Sequence, residues 1–260
     1  MRLAVLRPAD RLEESVALAQ EMGFKTIGAS PLVIVHNRDD NTERMISALK
    51  RDEVDHVVFT SSTSVASIQA MAKTSDADII GLVNRCRVTA IGPATAKSLT
   101  AAGIRVDMMP GEFTSAGLVD MLTSRNIIGR TVCLLRSDHG DPLLVTGLQD
   151  AGATVMEVAV YRLVPRPEDE GLVAMVRETL AGGFDAFAFP SAMTAATFIE
   201  AAELMGVKDE LIATLNERQV AAIGPPTRKM LEGMRVRVGI MPQQATFKAM
   251  LDELKRSSKC

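Results

Sequence analysis

A chain of 260 residues is long enough for two modest cores, because single cores stop growing near ~250–300 residues. Hydrophobic residues make up 47% and charged residues 23%, the balance of a globular protein rather than a disordered one. The formal charge of −3, carried without a long basic run, argues against a nucleic-acid partner, and no apolar run approaches the ~20 residues that span a bilayer.

The chain opens on Leu3-Ala4-Val5-Leu6 followed by Arg7-Pro8, a short strand and too brief for the apolar region of a signal peptide. Residues 12–22 then place apolar side chains three and four apart, as a helix does. Residues 57–59, 88–91 and 105–109 read as strands bounded by polar or Gly punctuation. Around them, residues 41–50, 64–71, 94–101 and 114–122 carry helical spacing. Residues 132–136 form a further strand. The polar turn Asp138-His139-Gly140-Asp141 opens the next helix through Pro142, and the run 153–160 leads into Tyr161. The terminal Lys255-Arg256-Ser257-Ser258-Lys259 suits a solvated helix end, where cations meet the negative pole of the dipole. Strands alternating with helices imply a mostly parallel sheet covered on both faces, a doubly wound α/β architecture.

The second half repeats the first. Asp55-His56-Val57-Val58-Phe59-Thr60-Ser61 corresponds to Asp185-Ala186-Phe187-Ala188-Phe189-Pro190-Ser191, and Ala90-Ile91-Gly92-Pro93-Ala94-Thr95 to Ala222-Ile223-Gly224-Pro225-Pro226-Thr227. Gly92 and Pro110 are as far apart as Gly224 and Pro242. Arg7 and Gly23 are likewise as far apart as Arg136 and Gly152. Two divergent copies of one unit account for almost the whole chain.

Ligands of open parallel sheets bind beyond the carboxyl ends of the strands. Those places hold Arg7, Ser61, Ser62, Thr95, Arg136, Ser191, Thr194 and Thr227. Hydroxyls at such places cap helices, and a free helix start favours an anion. Capping alone accounts for any single Ser or Thr; the same cluster in both copies points to carboxylate binding by the group. Arg7 and Arg136 end matching strands and can pair with a ligand carboxylate or within the protein. Tyr161 is the only phenol of the chain, and it is either a proton donor or a packing residue with its hydroxyl on a carbonyl.

Signatures of bound groups are missing. There is no Gly-x-Gly-x-x-Gly after a strand, no phosphate loop, no nucleophile elbow and no His-Glu-x-x-His. Cys86, Cys133 and Cys260 are scattered, odd in number and without metal-ligand spacing, which fits a reducing cytoplasm with Cys133 buried in a strand. No cofactor and no metal is expected. His56, at a strand start, is given a structural role only.

Taken together, Leu6-Arg7-Pro8, Phe59-Thr60-Ser61, the two Gly-Pro segments, Leu134-Leu135-Arg136 and the Val160-Tyr161 junction resemble the uroporphyrinogen-III synthase family over essentially the full length. Departures are Leu6 before Arg7, Pro190 in the second Phe-Thr-Ser, Thr63-Ser64 after the first, and Pro226 after the second Gly-Pro. The resemblance implies two flavodoxin-like, doubly wound domains joined by a two-stranded β-ladder of residues 32–36 and 160–165. Residues 1–35 with 168–260 would form one domain and residues 36–167 the other, with the active site in the cleft between them. It further implies a cofactor-independent lyase that closes hydroxymethylbilane with inversion of ring D. Tyr161 would assist departure of the hydroxyl, and Arg7, Ser61, Ser62, Thr95, Arg136, Ser191, Thr194 and Thr227 would hold substrate. A monomer is expected, with transient handover from hydroxymethylbilane synthase and no nucleic-acid or membrane partner. The rival reading is a non-catalytic tetrapyrrole or polycarboxylate sensor on the same fold; the repeat leaves no length for an output module.

Overall fold

The computed structural model describes residues 1–257, the Asp10 side chain excepted. The chain begins with β1 (Arg2–Leu6), α1 (Ala9–Glu21), β2 (Lys25–Ala29), β3 (Leu32–His36), α2 (Asp40–Lys50), β4 (His56–Phe59) and α3 (Ser62–Lys73). It continues through α4 (Ile79–Val83), β5 (Arg87–Ala90), α5 (Pro93–Ala101), α6 (Ser115–Thr123), β6 (Thr131–Ser137), α7 (Pro142–Asp150) and β7 (Thr154–Pro165). Last come α8 (Glu170–Leu180), β8 (Ala186–Phe189), α9 (Ala192–Leu204), α10 (Lys208–Asn216), β9 (Gln219–Ala222), α11 (Pro225–Gly233) and α12 (Phe247–Ser257). Lys255 and Arg256 occupy the last turn of α12 as expected, while Ser258, Lys259 and Cys260 lie outside the described residues. No helix among the described residues is long and apolar enough to cross a membrane.

Two compact units divide the chain at Ile34/Val35 and Arg162/Leu163. The first division falls inside β3, one residue from the 35/36 boundary expected from sequence, and the second inside β7, ahead of the expected 167/168. The first unit takes Met1–Ile34 and the chain from Leu163 onward; the second is Val35–Arg162.

In the first unit the sheet runs β2-β1-β8-β9, with every neighbour parallel. Alternation of side chains across a strand explains why it is covered twice. Ala4, Leu6, Phe187 and Phe189 join Leu172, Phe198, Leu211 and Leu231 of α8–α11 on one face. Leu3, Val5, Ala186 and Ala188 meet Ala19 of α1 and Met250, Leu251 and Leu254 of α12 on the other. Gly28 lets α1 approach β2 closely: a Cβ there would stand 2.8 Å from the side chains of Leu12 and Val16.

In the second unit the order is β3-β7-β6-β4-β5, and β7, β6, β4 and β5 are parallel. Val58, Val132 and Leu134 pack with Leu118 and Leu122 of α6 and Leu144 and Leu148 of α7. Val57, Phe59, Cys133 and Leu135 alternate with them and are buried as well. Strand β3 lies beside β7. The Asn37 N–H donates to the Val160 carbonyl at 2.9 Å, and the Arg166 N–H to the Pro31 carbonyl at 2.9 Å, the sequence of an antiparallel ladder.

The sheets exchange strands between the copies of the repeat. Strand β1 of the first copy pairs with β8 of the second, and β6 of the second pairs with β4 of the first. The duplication is therefore offset from the compact units.

Among the details that differ from the sequence expectation are two strands. Residues 105–109 do not form a strand: Met108 makes an isolated bridge to Thr89, and Ile240 does the same with Ala221. Arg105 and Asp107 pair with one another at 2.6 Å on this exposed edge, and Pro110 ends the segment too soon for a ladder. Strand β2 was not foreseen, because Lys25, Thr26 and Gly28 interrupt its apolar pattern.

Candidate functional site

In the second unit, β7, β6, β4 and β5 bring Tyr161, Arg136, Ser61 and Thr95 to the carboxyl pole of one sheet, in that order across it. Ser61 is the N-cap of α3. Its extended backbone lets the hydroxyl accept the Ser64 N–H at 3.1 Å, and Ser64 Oγ returns a hydrogen bond to the Ser61 carbonyl at 2.7 Å. The Tyr161 hydroxyl lies 3.1 Å from Ser61 Oγ. A register shift between Arg136 and Ser137 sets Tyr161, rather than Val160, opposite Ser137. Such a bulge re-aims the side chains beyond it, and it accounts for a tyrosine at the end of an apolar strand meeting a helix cap.

Helix α5 begins differently. Gly92 is its N-cap, with no side chain to cap the turn, and Pro93 occupies the first position. The N–H groups of Ala94 and Thr95 have no partner among the described residues, and neither has the Thr95 hydroxyl, although Thr95 is largely buried. A helix start left open in this way offers donors and a positive dipole end to an anion.

Arg136 is 3% exposed. Its Nη2 donates to the Asp141 carbonyl at 2.8 Å, at the N-cap of α7. Nε and Nη1 are buried without a hydrogen-bond partner among the described residues. The nearest anion, Glu157 Oε1, is 3.5 Å from Nη1, too long for a hydrogen bond, so this ion pair supplies charge but not satisfaction. The guanidinium lies against Gly140, whose missing side chain makes the room. Beside Tyr161, Arg162 donates to Asn37 Oδ1 at 2.9 Å, and Asn37 Nδ2 donates to Asp39 and to the Ala159 carbonyl, each at 2.8 Å. Burial pushes the Asp39 carboxyl up, but hydrogen bonds from the Thr42 N–H, Asn37 and the Asn41 N–H, with the charge of Arg162, outweigh it and hold the group below its ordinary value.

The first unit repeats the plan with changes. Ser191 caps α9 by accepting the Thr194 N–H at 3.1 Å. Helix α11 starts at Gly224 with no side-chain cap, and its first two positions are Pro225 and Pro226. Pro226 removes the donor that Ala94 offers in the other copy, leaving the Thr227 N–H and a Thr227 hydroxyl with no partner among the described residues. Arg7 follows β1; its Nε donates to Ser15 Oγ at 2.9 Å and its guanidinium lies 4.8 Å from the centroid of the Phe247 ring.

Of the residues expected to hold substrate, Ser61, Ser62, Thr95 and Arg136 gather at the carboxyl pole of the second unit with Tyr161. Ser191, Thr227 and Arg7 lie at that of the first. Thr194 lies beside Ser191 and is fully buried, and its hydroxyl donates to the Ser191 carbonyl at 2.9 Å, completing the cap. The Asn37–Arg162 pair was missed; an Asn one place beyond a strand and two before a helix cap is a common turn signal and nothing in it names a partner.

Such an arrangement defines an α/β protein in which each unit carries open helix starts and hydroxyls, rather than strong acids or bases, at the carboxyl pole of its own sheet. Residues 13–252 match the family model of uroporphyrinogen-III synthase HemD. The chain belongs to the uroporphyrinogen-III synthase family, enzymes of tetrapyrrole biosynthesis. A Methanothermobacter thermautotrophicus protein of the same family name is 34% identical over 255 residues, 97% of this chain and 96% of its own. In fold, the chain is similar to uroporphyrinogen-III synthetase from Helicobacter pylori, with TM-score 0.64 at 17% identity over 99% of this chain and 100% of that one. It is also similar to a mutant uroporphyrinogen III synthase from Thermus thermophilus, with TM-score 0.60 at 24% identity over 100% and 99%.

Proposed function

We propose that the chain is a cofactor-independent lyase that closes hydroxymethylbilane to uroporphyrinogen III. The observation that carries this reading is the pair of open Gly-Pro helix starts, α5 and α11, each with an unpartnered Thr hydroxyl at the equivalent position. They suit a substrate bristling with carboxylates and gripped at many points.

The hydroxyl of the ring A hydroxymethyl group takes a proton from Tyr161 and leaves as water, giving an electrophilic azafulvene. Ser61 Oγ, 3.1 Å from the phenol, is placed to hydrogen-bond the oxygen that has given up its proton. Ring D attacks through its substituted carbon, the spiro intermediate reopens, and closure occurs in the inverted orientation. The proton lost as the ring regains aromaticity returns to Tyr161, so the cycle balances with one water released. Closure without inversion needs no enzyme in this chemistry. The task is orientation, and holding reacting ends in place is worth up to ~7–11 kcal/mol.

Buried, unpaired Cys86 and Cys133 fit a reducing cytoplasm. A substrate that closes spontaneously favours handover from hydroxymethylbilane synthase to a monomer of this chain. The test supplies freshly made hydroxymethylbilane and resolves the oxidised products by isomer. An excess of type III supports the reading; type I alone, formed at the uncatalysed rate, ends it.

A further inference from the structure

The opposite pole of the second unit carries a feature that substrate binding at the carboxyl ends does not use. At the start of β4, β5 and β6, Asp55, His56, Arg87, Arg125, Asn126 and Arg130 line a cavity of about 390 Å³. Three guanidinium groups face one carboxylate there, and that carboxylate is already engaged. Asp55 Oδ1 accepts from Arg130 Nη1 at 2.9 Å, and Oδ2 accepts the Thr131 N–H at 2.8 Å. Arg87 and Arg125 make no hydrogen bond or ion pair through their guanidinium groups among the described residues. His56 is 4% exposed, and its Nδ1 is buried with no hydrogen-bond partner among the described residues. Buried polar atoms are almost always satisfied in a finished structure, and one that is not calls for an explanation.

The repeat supplies an internal control. Asp185 of the second copy does for β1 what Asp55 does for β6: its Oδ2 accepts the Arg2 N–H at 2.6 Å. Its carbonyl accepts the Gln219 N–H at 3.2 Å, as the Asp55 carbonyl accepts the Arg87 N–H at 3.0 Å. The aspartate is thus part of the architecture in both copies. The cationic groups differ: the matching pole of the first unit carries Arg2, whose Nη2 donates to Glu178 at 2.8 Å, and Arg218, whose Nε is buried without a hydrogen-bond partner among the described residues. In the same register, His56 beside Arg87 is replaced by Ala186 beside Gln219. The first unit closes this edge with Ala186 where the second has His56, so a buried histidine among the arginines needs a reason of its own.

From the cavity, its two unpaired arginines and the sealed, unpartnered histidine, we infer that this pole binds a compact phosphate-type dianion. The excess of two positive charges over Asp55 matches such a ligand. Planar guanidinium forks from β5, from the segment after α6 and from the start of β6 converge on it from different directions, as phosphate oxygens require. The site lies about five residues down β4 from Ser61, roughly 16 Å at ~3.3 Å per residue, and it shares no side chain with the proposed catalytic pole.

The experiment titrates inorganic phosphate into the full chain by calorimetry and follows the His56 imidazole signals by NMR, at constant ionic strength set with chloride. Saturable binding of one phosphate with movement of the His56 signals is expected. The double variant Arg87→Gln/Arg125→Gln, built from exposed side chains, should bind phosphate at least tenfold more weakly while its turnover of hydroxymethylbilane stays unchanged. Citrate serves as the carboxylate arm and should bind more weakly than phosphate. Absence of saturable binding, equal binding in the double variant, or preference for citrate overturns the inference. None of these outcomes bears on which uroporphyrinogen isomer is formed.

Discussion

At Tyr161 the structure narrows two readings to one geometry. The phenol sits on a hydroxyl rather than on a carbonyl, and that hydroxyl caps a helix beside the open start of another. Loss of the phenolic proton should therefore reach the chemistry and not the fold. Tyr161→Phe is expected to lower kcat for type III formation roughly 10²-fold with a change in stability of no more than about 1 kcal/mol, measured by isomer-resolved kinetics and urea unfolding. Unchanged kcat would remove the residue from catalysis. The Thr95 and Thr227 hydroxyls have no partner among the described residues to lose, so Thr95→Val and Thr227→Val should each raise KM about fivefold at constant stability. If stability fell and KM held, the hydroxyls would be structural. Arg136 makes the sharpest case. A buried guanidinium with two unsatisfied nitrogens opposes folding, since charge is removed from water without full compensation. Glu157 is half exposed and stays hydrated without it. Arg136→Met should leave stability unchanged or raise it by about 1–4 kcal/mol while KM rises. A large loss of stability would mean that the Asp141 contact outweighs the burial cost.

Elements differ in how plainly their sequences announce them. Helix α2 was legible because its apolar residues Met45, Ile46 and Leu49 keep helical spacing, and the Gly-Pro starts of α5 and α11 were legible because Pro fits the first helical position. Strand β2 was not, since its register depends on α1 packing over Gly28, a tertiary fact. The bulge in β7 was equally hidden: nothing local in Val158–Ala159–Val160 says which residue will be left over when the strand is laid beside β6. For the same reason the residues of the candidate site could be named from sequence, but not the Ser61–Tyr161 pair or the closing of Thr194 into a cap. Helix α2 also gives a pH prediction. Asp39 caps it, accepting the Asn41 N–H at 3.0 Å and the Thr42 N–H at 3.1 Å, and its folded pKa lies below the ordinary 3.8. A carboxyl depressed by folding contributes stability above its unfolded pKa and loses it as pH falls through the folded value. Asp39→Asn keeps a good cap but has no proton to take up. Urea midpoints measured from pH 6 down to pH 2 should therefore fall more steeply below about pH 4 for the parent than for the variant; parallel curves would show that Asp39 is not a source of the acid limb.

For the whole molecule, the consequence of the strand exchange is that one unit is interrupted by the other. Every core residue of the first unit comes from residues before Ile34 or after Leu163, and the cluster under α6 and α7 comes wholly from Val35–Arg162. The interruption enters and leaves through an antiparallel pair whose bonds, Asn37 to Val160 and Arg166 to Pro31, fix the register. Hydrogen-bonded pairs alternate along such a ladder, which makes Val33 and Val164 another of them. A two-residue Asn-Gly turn is the connection best matched to the twist of a hydrogen-bonded pair. Residues 1–33 joined by Asn-Gly to residues 164–260 should therefore give a chain that unfolds cooperatively, with the β2-β1-β8-β9 order retained. Residues 35–162 should fold separately, since their sheet keeps four parallel strands and both of its covered faces. Removing the insertion also brings β1 and β8 closer in sequence, and a shorter loop to close lowers the entropic barrier to their pairing, so the excised chain should refold faster than the parent. Circular dichroism, denaturant unfolding and stopped-flow refolding check these outcomes. A molten or aggregated product from the excised chain, beside a folded product from residues 35–162, would show that β1 pairs with β8 only when the inserted unit is present to hold the ladder, and the first unit would then be a dependent structure rather than a domain.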